Sequence, residues 1–337
     1  MKQSLLTCGA AGALSLISTL TLSLALSPGL AAADPAAPSG VVRTGLGQPG
    51  YIVQKGEWLS STSYSHQTSS SESIKATGDF NAKDSGYADT GGQTFTYGLT
   101  DHLSINLRES YESTHSEADR VDGVTTDTHA QGLADPAFGV TWRALDQGPH
   151  PVSLDLSGSF APNWFRAKSA TTTETGTIAA GGAQASLSAA VTRLDGPNIF
   201  YGSIAATYHG SRVILIQSGP YDRTAPNYWS GEITAEYDRA LTPQIDVSIT
   251  GRWDPAYTTR STNLGGNGLS SWTDQDAQSA VTLGVNDCIT PDKVAVALTF
   301  SHAFDHGSQS YQPGVGPSGS SRHATSDTVG ATLRVRL

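Results

Sequence analysis

The 337-residue chain carries 20 Lys+Arg against 30 Asp+Glu, a formal charge of -10, and only 37% of its residues are hydrophobic while Gly reaches 36 and Met stands at 1. That balance excludes a nucleic-acid partner, which needs a basic face, and the short apolar runs exclude the buried parallel sheet of an α/β enzyme. Beyond Leu26 no apolar stretch approaches the roughly 20 residues of a transmembrane helix, so a membrane-spanning form of this chain must cross as strands.

The chain starts Met1-Lys2-Gln3, continues with an apolar stretch from Leu5 to Leu26, and reaches Pro28-Gly29 and the small residues Ala31-Ala32-Ala33 before Asp34. A basic start, an apolar middle and small residues at the cut read as a secretory signal over 1–33. Removal of the signal takes Cys8 with it and leaves Cys288 alone, so no intramolecular disulfide is expected. Residues 34–54, rich in Pro, Gly and Ala and without periodicity, read as a flexible periplasmic leader. The barrel is expected over 55–337.

From there the pattern has a period of two, which marks strands with one apolar and one polar face. Leu103, Ile105 and Leu107 alternate with Ser104, Asn106 and Arg108. Val152, Leu154 and Leu156 alternate with Ser153, Asp155 and Ser157, and Ile233, Ala235 and Tyr237 with Thr234, Glu236 and Asp238. Ile245, Val247, Ile249 and Trp253 stand against Asp246, Ser248, Thr250 and Arg252, and Val294, Val296, Leu298 and Phe300 against Ala295, Ala297, Thr299 and Ser301. With weaker strands between these, about twelve antiparallel strands are expected, an even number as bacterial barrels have.

The connections alternate between short and long. Short ones, such as Leu99-Thr100-Asp101-His102, Leu194-Asp195-Gly196-Pro197 and Leu241-Thr242-Pro243, carry the residues of tight turns. Long polar ones fall near 67–90, 112–132, 161–182, 210–228, 255–274 and 305–323. Short periplasmic turns opposite long extracellular loops characterise a transmembrane β-barrel, which is the fold class expected, in the outer membrane of a Gram-negative bacterium with lipid around it. Aromatic residues fall where two girdles belong: Tyr97, Trp142, Phe200 and Tyr237 toward the turns, and Tyr111, Phe160, Trp229, Trp253 and Phe304 toward the loops. The last strand alternates up to Leu337, where barrels of this class usually end on an aromatic residue.

If the apolar phase faces lipid, the polar phase puts Arg108, Asp155, Glu232, Glu236, Asp246, Arg252 and Arg334 in the lumen, as pore lining or as salt-bridged filler. The segment Ala161-Pro162-Asn163-Trp164-Phe165-Arg166 is the candidate for a loop over the mouth, through Trp164, Phe165 and Arg166. Asp101-His102 and Asp305-His306 are adjacent acid–imidazole pairs, but neighbours in a strand point to opposite sides and no serine is singled out beside them, so no catalytic residue is expected. His209, His302, His306 and His323 match no metal-ligand spacing, and Gly265-Gly266-Asn267-Gly268 lacks the strand-to-helix context of a phosphate loop, so no metal or cofactor is expected.

Tyr97-Gly98-Leu99-Thr100-Asp101-His102-Leu103 resembles the first turn of the barrel proteins named for the meta-pathway of phenol degradation. Gly132-Leu133-Ala134-Asp135-Pro136, leading into Phe138-Gly139-Val140-Thr141-Trp142-Arg143, is similar to that family's Gly-Asp start of a strand, with Ala134 in place of a glycine. The resemblance implies an outer-membrane transporter for hydrophobic or aromatic compounds and brings no catalytic residues. A monomeric barrel passing a small solute is the leading expectation. A closed structural or loop-binding barrel stands second, and an outer-membrane hydrolase third.

Overall fold

The computed structural model describes residues 44–337 except 76, 216–222, 264–269, 291–292, 306 and 313–315. The 1–33 signal, the leader before residue 44, the glycine-rich tip at 265–268 and His306 lie outside the described residues. The chain forms a closed antiparallel barrel of 12 strands. They are β1 (Trp58–Lys75), β2 (Phe80–Thr100), β3 (Leu103–Arg120), β4 in two pieces (Thr125–Leu133 and Ala137–Leu145), β5 (Ser153–Ala161) and β6 (Gln184–Asp195). Then come β7 (Asn198–His209), β8 (Tyr228–Ala240), β9 (Ile245–Asp254 and Tyr257–Asn263), β10 (Ser270–Gln275 and Gln278–Thr290), β11 (Val294–Asp305 and Ser308–Gln312) and β12 (Gly316–Arg336). Each strand pairs with its neighbours in sequence, and β12 closes on β1 from Leu59↔Arg336 to Lys75↔Gly319. Closure leaves no sheet edge to be desolvated in lipid.

Burial is inverted relative to a water-soluble sheet. Leu283, Leu298, Ile249 and Phe300 are exposed on the outer face, while Asp238, Asp246, Asn286 and Glu236 are buried on the inner one. Apolar side chains directed at lipid and polar ones directed inward are what the period-two alternation specifies once the sheet has closed. The girdles occupy both ends of this band: Trp58 meets Tyr97 at 4.7 Å and Phe200 meets Tyr237 at 5.4 Å near the turns, and Tyr208 meets Trp229 at 5.3 Å near the loops, all three pairs tilted.

Two features differ from the sequence reading. The polar stretches 67–90, 112–132, 255–274 and 305–323 are mostly strand among their described residues: β1, β2, β3, the first piece of β4 and the outer parts of β9, β10, β11 and β12 run on above the girdle, and on the first two hairpins the described residues outside strands are 77–79 and 121–124. Above the lipid both faces of the wall meet water, so the pattern loses its apolar phase while the backbone pairing persists.

The second difference concerns the leader. Residues 44–54 are not a free tether: Leu46 is 1%, Ile52 4% and Val53 3% exposed. They lie inside the barrel at the turn end. From there the chain leaves along β2, with the Gly56 amide donating to the Gly98 carbonyl at 2.8 Å and the Gly98 amide to the Glu57 carbonyl at 3.1 Å.

Candidate functional site

The inner wall at the turn end is built from the inward phase of the strands. Arg143, the last inward residue of β4, meets Asp155 of β5 in a bidentate pair, Nε to Oδ1 at 2.7 Å and Nη2 to Oδ2 at 2.9 Å, with the arginine side chain 2% exposed. The register sets Arg143 opposite Asp155, so the pair follows from alignment of the two strands. Fork-shaped guanidinium and carboxylate match best in this two-point arrangement. Across the barrel Glu236 and Asp238 of β8 and Asp246 of β9 are buried, and Arg334 of β12 is attracted by Glu236 and Asp246.

The segment 44–54 bridges these walls. The Arg143 Nη2 donates to the carbonyl of Gly50. A side chain at Gly50 would run into Thr192 of β6, and one at Gly47 would stand 3.0 Å from the Arg334 guanidinium and 3.6 Å from Asn286 of β10. Both glycines have positive φ, 88° at Gly47 and 72° at Gly50, where a side chain is strained in any case. Since β4 and β6 stand on the side of the barrel away from β10 and β12, residues 47–50 cross the lumen. The Gln48 side chain folds the crossing into a turn by accepting from the Gly45 amide at 2.7 Å.

At the loop end the inner wall is aromatic. His209 of β7 stacks on Tyr228 of β8 at 4.2 Å and 7°, Tyr228 stacks on Tyr257 of β9 at 5.5 Å and 5°, and the Arg212 guanidinium lies 5.7 Å from the Tyr228 ring. A polar recess lined by His209, Glu232, Arg252, Asp254 and Gln278 lies beneath, where Arg252 Nε meets Asp254 Oδ2 at 3.3 Å. Beyond the strand ends Arg223 (in Arg223–Ala225) pairs with the Arg212–Leu215 segment, and burial, then the charge of Arg212, hold the Arg223 guanidinium below its usual pKa.

The sequence-derived residues divide accordingly. Arg108, Asp155, Glu232, Glu236, Asp246, Arg252 and Arg334 all occupy the inward phase of their strands, but not one place: Asp155, Glu236, Asp246 and Arg334 lie at the turn end, Glu232 and Arg252 in the outer recess. Trp164, Phe165 and Arg166 do not cover the mouth. They are exposed, Trp164 lies edge-on against Phe138 of the outer face at 5.8 Å, and the Asp135 carboxylate holds the Trp164 and Phe165 amides at 2.8 Å each. The buried part of that loop is further on, at Ile178 and Ala179, where the Gly176 amide donates to the His129 carbonyl at 2.8 Å.

Asp101 and His102 turn to different partners, the Lys55 amide and Asp146. Of the four rim histidines of the sequence reading, the described ones differ in setting: His209 faces inward on Ser230, His302 faces outward on Asp327, and His323 has a left-handed backbone at φ 52°. Missed by the sequence reading were the 44–50 crossing, Thr192, Asn286, Tyr228 and Tyr257. Arg143 was legible, since Phe138, Val140 and Trp142 fix the outer phase and leave it inside.

A closed, inside-out sheet with two aromatic girdles defines a transmembrane β-barrel of the bacterial outer membrane. No family model and no curated protein matches the chain. Among solved structures it is similar to an outer membrane channel from Pseudomonas putida F1, with TM-score 0.51 and 13% identity over 85% of this chain and 97% of that one. A mutant of the TodX monoaromatic hydrocarbon channel aligns at TM-score 0.44 and 11% identity over 84% of this chain and 91% of that one. The outer membrane protease OmpT of Escherichia coli aligns at 0.37 and 8% over 83% and 97%. At these identities the likeness is one of fold.

Proposed function

We propose that the protein is an outer-membrane channel for small solutes whose lumen is closed at the periplasmic end by residues 44–54. The observation that carries this reading is the crossing itself. The carbonyl of Gly50 accepts from Arg143 of one wall, and Gly47 packs closely against Arg334 and Asn286 of the other. A twelve-strand barrel lies between the small barrels filled by side chains and the porins with an aqueous channel, so removing one peptide from it opens a path. The solute class is small and aromatic: the His209–Tyr228–Tyr257 stack offers π-faces at the outer mouth, in keeping with the family resemblance. Arg108, Asp155, Glu232, Glu236, Asp246, Arg252 and Arg334 line the path below it.

Deleting residues 44–54 tests the reading in a planar bilayer, with folding checked by heat-modifiable gel mobility. Stable unit conductance larger than that of the full chain is expected, together with faster swelling of liposomes in small aromatic acids than in sugars of the same mass. A folded deletion variant that stays silent would instead make this a closed barrel with a structural interior.

A further inference from the structure

The outer surface above the girdle holds a group of side chains with no part in conduction. On β3, His115 lies directly opposite His129 of the first piece of β4, and Asp127 lies two residues from His129 on the same face. Strand geometry brings these three together: cross-strand partners have Cβ atoms about 5 Å apart, and residues two apart share a face. His115 Nδ1 and His129 Nε2 are 3.3 Å apart, His115 Nδ1 and Asp127 Oδ1 3.2 Å, and His129 Nε2 and Asp127 Oδ1 3.4 Å.

We propose that His115, Asp127 and His129 form a surface site for a borderline divalent transition cation of the Zn²⁺, Ni²⁺ and Cu²⁺ class. Ligands bound about 2.0–2.1 Å from a tetrahedral centre stand about 3.3 Å from one another, which is the triangle these three donor atoms make. Imidazole suits these metals and distinguishes them from Mg²⁺ and Ca²⁺, which prefer an all-oxygen shell. Asp127 and His129 are half-exposed and leave the remaining coordination positions to water. The scaffold is fixed on both sides. Tyr87 of β2 stacks on His115 at 4.9 Å and 23°, and the far edge of β4 is tied to Gly176 through the His129 carbonyl and the Gln131 amide. Preorganised donors on paired strands avoid the ordering cost that a loop site incurs.

The site stands above the lipid. His115 lies four residues beyond the girdle residue Tyr111 along β3, and Leu133, which pairs with Tyr111, lies four beyond His129. The hairpin therefore faces the cell exterior. The cation closes a chelate across β3 and β4, clamping the hairpin that carries the wall upward.

The test is a titration of the full chain in detergent micelles with Cu²⁺, read by electron paramagnetic resonance, and with Zn²⁺, read by equilibrium dialysis. One saturable equivalent per chain is expected, with a Cu²⁺ spectrum showing nitrogen coupling, and tighter binding of Cu²⁺ than of Zn²⁺ in line with the general affinity order. His129→Ala and His115→Ala should each weaken binding at least tenfold and Asp127→Asn several-fold. His302→Ala, which removes the two-donor His302–Asp327 pair on the same outer face, should leave it unchanged. Absence of a saturable equivalent, or binding in folded His115→Ala and His129→Ala variants equal to the native level, would overturn the proposal and leave three side chains joined by hydrogen bonds alone.

Discussion

Arg143 offers the sharpest perturbation of the closed state. Its guanidinium is 2% exposed and spends Nε and one Nη2 contact on Asp155, while Nη2 also reaches the Gly50 carbonyl. Replacing one partner alone would leave a buried charge uncompensated, at a cost of about 3–5 kcal/mol to the barrel, and would confuse gating with folding. Arg143→Met together with Asp155→Asn removes both charges and keeps the volume, so the barrel should refold to its native gel mobility. What is lost is a charge-assisted hydrogen bond to the crossing segment, about 1.5–3 kcal/mol. At about 1.4 kcal/mol per factor of ten, the open fraction should rise roughly 10- to 100-fold. Single-channel recording in a planar bilayer measures that fraction directly. A folded double variant with the native open fraction would show that Arg143 does not hold residues 44–54 in place.

Two further outcomes are expected. Glu232→Gln with Glu236→Gln removes two of the inward carboxylates, which outnumber the arginines among the inward charges named above; reversal potentials in a salt gradient should show a lower preference for cations, and unchanged selectivity would remove both from the conducting path. Tyr228→Ala takes the middle ring out of the His209–Tyr228–Tyr257 stack. At about 0.5–1.5 kcal/mol per aromatic contact, apparent affinity for an aromatic solute in swelling assays should fall roughly 2- to 10-fold while sugar flux stays at its native rate.

Much of the molecule was legible in one dimension. Phe138, Val140 and Trp142 against Thr141 and Arg143, or Ile245, Val247 and Ile249 against Asp246 and Ser248, fix which face of a strand meets lipid. The reason is that a strand has only two faces and the bilayer accepts one kind. The same logic places Arg108, Asp155, Glu232, Glu236, Asp246, Arg252 and Arg334 inside without knowledge of any neighbour.

Depth and company were not legible. The run Thr44-Gly45-Leu46-Gly47-Gln48-Pro49-Gly50 has the composition of a linker, and its position across the lumen depends on Arg143, Thr192, Asn286 and Arg334, which come from four separate strands. Ser- and Thr-rich stretches such as 67–73 carry no apolar phase, so their strands declared themselves only through pairing with β2 and β12. Trp164 and Phe165 looked like a lid by composition, yet Asp135 and Phe138 hold them outside. His115 and His129 match no metal spacing along the chain because their proximity is a property of register. Alternation is local and survives in the sequence, whereas register, closure and the path of a segment through the lumen arise from contacts among residues far apart in the chain and exist only once the barrel has closed.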